Sequence, residues 1–233
     1  MLNTRQQNLL KLIIENYIDT AEPIGSNFLV ENTELEFSGA TIRNEMRELE
    51  ELGYLTHPHT SAGRIPTENG YRHYLDQTFK PVKPTKKQEA ELDKTTSSDV
   101  EYKEKIKSVA KLVSEWAEAA VIVAFTEKNL YYTGITALFS QPEFRDYAHT
   151  IKISNVFDQC EDKIDELYEI VDSNRVKVLI GKENPLGTAC GLISVRLNKN
   201  DIFCILGPMR MNYAKGVGLA EKIGQINEFK NNV

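Results

Sequence analysis

The sequence predicts an α+β protein built in two parts, and three observations carry that expectation. Apolar residues recur at helical spacing through residues 1–79 and give way to two short strand-like runs. A Lys-, Pro- and Ser/Thr-rich stretch over residues 80–99 then interrupts the periodicity. Beyond it, five short apolar runs are interleaved with helical ones. We therefore expect a first domain at 1–79, a linker at 80–99 and a second domain at 100–233. The 233 residues, 41% hydrophobic and 27% charged, are those of a globular chain rather than a fibrous or disordered one.

The first helix is expected from Leu9, Leu10, Ile13, Ile14, Tyr17 and Ile18, which line one helical face ahead of Ala21-Glu22-Pro23. Ser26 is placed to cap a short second helix through Asn27–Val30. Ser38 is placed to cap a third, whose Ile42, Met46, Leu49 and Leu52 recur every three or four residues before Gly53 ends it. Tyr54-Leu55-Thr56 reads as a strand, His57–Gly63 as a loop, Arg64-Ile65-Pro66 as the return strand and Thr67–Gln77 as a helix. Helix, helix, turn, helix and a two-stranded wing is the winged helix-turn-helix order, in which the third helix enters the major groove.

Charge qualifies that reading. The chain carries a net −6, and residues 1–80 hold seven basic side chains against twelve carboxylates, so binding to nucleic acid cannot come from bulk positive charge. Position matters more, because four of the five arginines in this stretch fall between 43 and 72. Arg43, Asn44 and Arg47 are the candidates to read bases, since Arg can donate twice to guanine and Asn can bridge adenine. In the wing, His59, Thr60, Ser61 and Arg64 are candidates for phosphate or minor-groove contact, with Ser38, Thr41 and Arg72 as further phosphate contacts. Ser38 serves equally well as a helix cap. His57 and His59 have no third ligand close in sequence, so no metal is expected, nor any other cofactor.

The second domain opens with an amphipathic helix over residues 100–120, with Ile106, Val109, Val113 and Trp116 on one side. Strands are expected at 120–125, 130–136, 176–181, 189–197 and 202–207. Ile164, Leu167, Ile170 and Val171 keep helical spacing between the second and third of these, and residues 213–229 form a closing helix. Cys160, Cys190 and Cys204 fit no C-x-x-C motif and read as buried thiols. Gly207–Met211 is expected to be a tight turn, with Arg210 paired to an acid such as Glu143 or Glu183. No apolar stretch is long enough to span a bilayer, and the opening MLNTRQQNLLKL lacks the features of a signal peptide, so a cytoplasmic protein without membrane partners is expected.

The run from Ile24 to Asp76 resembles the N-terminal signature of the heat-inducible transcription repressor HrcA family, most specifically in PHTSAGRIPT followed by GYR. QPEF at 141–144, IGKEN at 180–184 and GPMRMNY at 207–213 resemble the same family more loosely. The resemblance implies a homodimeric repressor of heat-shock chaperone operons that binds an inverted-repeat operator on double-stranded DNA. It also implies a GAF-like C-terminal domain and a chaperonin partner that helps the repressor stay active. Family members carry an inserted dimerising domain where this chain has only Thr126-Glu127-Lys128-Asn129 between Phe125 and Leu130. The apolar stripe Ile106, Val109, Val113 and Trp116 is the alternative dimer contact, unless it packs on its own sheet. Two rival functions stand beside the repressor: a ligand sensor acting through the GAF-like domain, and a chaperone-docking protein that does not touch DNA. No G-x-x-x-x-G-K-[ST], G-x-S-x-G or H-E-x-x-H motif occurs, and no enzyme is expected.

Overall fold

A computed structural model describes residues 2–33, 37–58, 63–126, 129–172 and 175–230. The chain divides into two compact units, Met1–Lys80 and Pro81–Val233.

The first unit opens with α1 (Thr4–Thr20), started by an Asn3/Gln6 capping box. Then come α2 (Ser26–Asn32), α3 (Gly39–Glu51), β1 (Leu55–Thr56), β2 (Ile65–Pro66) and α4 (Glu68–Gln77). Leu9, Leu10, Ile13 and Ile14 of α1 are buried, as are Ile42, Met46 and Leu49 of α3, so both helices spend their apolar faces on one core. Leu52, expected in that core, is 58% exposed, because it lies at the C-cap where α3 turns away. Ser26 is the first residue of α2 rather than its cap, a position taken by Gly25. β1 and β2 pair antiparallel, and Ile24 adds a single bridge to Arg64 through two backbone bonds of 2.8 and 2.9 Å. The approach is close enough that a Cβ on Gly63 would sit 2.5 Å from the Ile24 carbonyl carbon. Thr67 joins hairpin to α4: its hydroxyl donates to the Gly53 carbonyl at 2.7 Å and accepts from Gly70 N–H at 3.1 Å.

In the second unit, residues 80–99 are not the linker the composition suggests. They contain α5 (Lys86–Thr96), which starts at a Thr85/Gln88 capping box and buries Leu92 and Thr96. Lysines on its outer side mask a short buried stripe. α6 (Tyr102–Ala117) leads into β3 (Ala120–Ala124) and β4 (Leu130–Thr133). β4 ends earlier than the sequence suggests because Gly134 turns the chain at φ 77 and α7 (Ile135–Phe139) begins. A 3₁₀ turn at Pro142–Arg145 precedes α8 (Tyr147–Ile170), capped by Asp146, which accepts from Ala148 N–H at 2.8 Å. Then follow β5 (Lys177–Ile180), β6 (Cys190–Arg196), β7 (Ile202–Pro208), α9 (Tyr213–Gly224) and α10 (Asn227–Lys230). The strands form one antiparallel sheet in the order β4-β3-β7-β6-β5.

Both faces of the sheet are covered. Ile122 of β3, Leu192 of β6 and Cys204 of β7 pack with Ile153, Val156, Cys160, Ile164 and Leu167 of α8. Strand side chains alternate, so Ile193 and Val195 point to the other side, where Gly216 and Gly224 let α9 approach β6 closely. All three cysteines are buried. Burial pushes the thiols of Cys160 and Cys190 up to about 11 and about 12, and that of Cys204 higher still. Arg210 pairs with Glu143 as the sequence suggested and adds a 2.9 Å bond to Gln141, which ties the 207–211 turn to the 3₁₀ segment.

The dimer stripe requires correction. Ile106, Val109 and Val113 are 0% exposed within one chain, because α6 lays them against β3, and only Trp116 is partly exposed. No partner can reach them without unfolding the unit. Val109→Glu with Val113→Glu is therefore expected to unfold the second unit, each buried charge costing several kcal/mol. Loss of its circular dichroism signal checks this, and a folded monomer would restore the stripe as a dimer contact.

Candidate nucleic-acid interface

α3 is set by its cap. Ser38 stands before the helix in extended conformation and accepts from Thr41 N–H at 3.2 Å, and its hydroxyl meets that of Thr41 at 3.0 Å. No acidic residue occupies the first turn, so the positive end of the helix dipole is uncompensated there. With Ile42, Met46 and Leu49 inward, the 3.6-residue period turns Ala40, Arg43, Asn44, Arg47 and Glu51 outward. All five are exposed. Arg43 reaches back to the Ser26 hydroxyl at 3.4 Å, a contact across α2 and α3 that nothing in the spacing announces. Arg47 and Glu51 pair loosely at 3.8 Å, both largely in water.

The acids in the rest of α3 are mostly engaged. Buried Glu45 pairs with Arg5 of α1, and Glu48 accepts from the Gln6 side chain at 2.9 Å. Glu50 meets both His57 and Arg64 in the hairpin. These partners lie too far apart in sequence for any local pattern to reveal them. Arg72 lies on α4, partly buried and 3.7 Å from Asp76, one turn away. His59, Thr60 and Ser61 lie outside the described residues. Tyr74 anchors α4 to α1 through Glu15 at 3.3 Å, and burial together with that carboxylate raises its hydroxyl far above the usual tyrosine value. The structure thus brings Ser38, Thr41, Arg43, Asn44 and Arg47 onto one helix, with Arg64 in the adjoining hairpin and Arg72 in the helix that follows. Among the described residues no group of acidic, His or Cys side chains is arranged to hold a metal ion, and no helix is long and apolar enough to cross a membrane.

Comparison with known proteins falls on the same family the motifs suggest. The family model of the HrcA protein C-terminal domain matches residues 69–217. The heat-inducible transcription repressor HrcA of Acetivibrio thermocellus is 43% identical over 129 residues, 55% of this chain and 37% of that protein. Its counterpart in Brevibacillus brevis is 56% identical over 81 residues, 35% of this chain and 24% of that protein. The chain belongs to the HrcA family, and its matches span between about a quarter and little more than a third of these relatives' lengths. A crystallised hypothetical protein, 20% identical, superposes with a TM-score of 0.76 over 98% of this chain and 96% of its own, and so shares the fold.

Ser38 offers a direct test of local structure. Ser38→Ala is expected to cost about 1 kcal/mol of stability and Ser38→Gly only a few tenths, as for a helix cap. Urea unfolding of both variants measures this; equal losses would deny Ser38 the capping role.

Proposed function

We propose that this chain is a sequence-specific DNA-binding repressor acting on an inverted-repeat operator of heat-shock chaperone genes. In this reading the first unit is a winged helix-turn-helix, with α3 as its recognition helix and the β1–β2 hairpin as its wing, and the second unit is GAF-like. One observation carries it: Arg43, Asn44 and Arg47 stand together on an exposed helix face whose N-terminal end is free of acids. The names of the family relatives as transcription repressors support the same reading.

Chemistry assigns the roles. Arg43 and Arg47 can each donate two bonds to guanine, and Asn44 can bridge adenine, each pair worth about 1–3 kcal/mol of discrimination. Ser38, Thr41, Arg64 and Arg72 take phosphate, as do His59, Thr60 and Ser61 of the wing. An inverted repeat requires two recognition helices about 34 Å apart or a multiple of it, so the active form is a homodimer. A chaperonin partner belongs to the same proposal.

Gel shifts on an inverted-repeat operator and on random DNA, at several salt concentrations, test it. If a dimer neutralises about four phosphates per protomer, log K falls with log salt at a slope of about −7. Affinity indifferent to both salt and sequence would sink the proposal. Arg47→Ala should cut the operator-over-random ratio about tenfold or more, whereas Arg72→Ala should weaken both alike. Equal losses would remove Arg47 from base readout.

A further inference from the structure

One carboxylate ties the hairpin to α3. Glu50, in the last turn of that helix, accepts from Arg64 Nε at 2.7 Å through Oε2, while its Oε1 meets His57 Nδ1. His57 directly follows β1 and Arg64 directly precedes β2, so a single side chain holds both legs of the hairpin. The Glu50 and Arg64 side chains are only 22% and 25% exposed, which screens their attraction less than that of a surface pair. Backbone bonds from residue 64 to Ile24, with Gly63 pressed against the Ile24 carbonyl, fix the same residue from the other side. Because Glu50 uses only Nε, this contact leaves the two terminal amino groups of the Arg64 guanidinium unspent.

The sign of the charge makes this arrangement informative. A carboxylate beside a phosphate-binding surface repels DNA, so on charge alone its removal should tighten binding to any sequence. We infer that Glu50 is a positioning residue for operator recognition: it locks the hairpin onto α3 and aims Arg64, and operator binding depends on it despite its charge. The inference rests on the DNA-binding reading above.

Glu50→Gln keeps the shape and removes the charge. Operator affinity is expected to fall about tenfold, the scale of one charge-assisted hydrogen bond, and, because Arg64 takes phosphate, affinity for random DNA is expected to fall with it. The backbone amide of residue 64 should exchange with solvent about tenfold faster, by the same conversion, in Glu50→Gln and in Arg64→Gln, which breaks the pair from the other side. Circular dichroism of both variants establishes that the unit stays folded, and the two mutations together keep a result available if one of them does not fold. Operator and random affinities rising together would show Glu50 to be only a repelling charge, and an unchanged exchange rate would deny the clamp. A wild-type chain without operator preference would overturn the repressor reading, and the clamp would then stand or fall on the exchange rates alone.

Discussion

The rotation of α3 about its own axis is the constraint on which the proposed interface depends. Leu49, Ile42 and Met46 are 0%, 2% and 4% exposed, and burial of side chains of this size is worth about 1.5–3 kcal/mol each. A turn of about 100°, one residue of the helical period, would lift these from the core and carry Arg43 or Arg47 toward it. Against that term, the loose Arg47–Glu51 pair contributes about 0–1 kcal/mol and cannot set the orientation. Arg5 on Glu45 and Gln6 on Glu48 reinforce the setting from α1. Hydrophobic packing on the inner face therefore decides which polar residues face outward.

The acidity of the first unit is resolved by the same geometry. Exposed charges farther apart than about 8 Å are largely screened at physiological salt, so a ligand meets a local field rather than a net count. Glu45 and Glu50 each face a basic side chain and Glu48 an amide, while Arg43 touches only a neutral hydroxyl among its described side-chain bonds. Three of the carboxylates of α3 are thus engaged by partners in α1 and the hairpin, while Glu51 shares the outward face with Arg43 and Arg47.

Much of this was legible in the sequence, and each hidden feature has its own physical cause. The helices carrying Leu9–Ile14 and Ile42–Leu49 emerge from periodicity because one buried face imposes it, whereas the strands of the sheet emerge as short apolar runs because the sheet is covered on both faces. For Arg210 the sequence offered Glu143 or Glu183 as partner without choosing between them, and the fold selects Glu143. α5 was hidden behind lysines and threonines, although Thr85 and Gln88 spell its capping box. The first half of α8 was hidden because exposed Tyr147 and Ile151 blur the stripe that Ile153, Val156 and Cys160 continue. Glu50 carries no local signal; its partners are fixed by tertiary folding, and no spacing rule reaches from position 50 to 57 and 64 together.

The second unit shows the limit of an amphipathic stripe as evidence. Ile106, Val109 and Val113 announce that one face of α6 must be buried, and periodicity carries no information on whether its own sheet or another chain buries it. The sheet decides, because a five-stranded antiparallel layer with apolar side chains on both faces needs cover on both. α8 covers the face of Ile122 and Leu192, leaving the face of Ile193 and Val195 to α6 and α9. Freeing α6 for a partner would expose that second face, so the stripe is committed once the sheet forms. A two-fold complex of the kind the proposed inverted repeat demands therefore does not draw on the core face of α6.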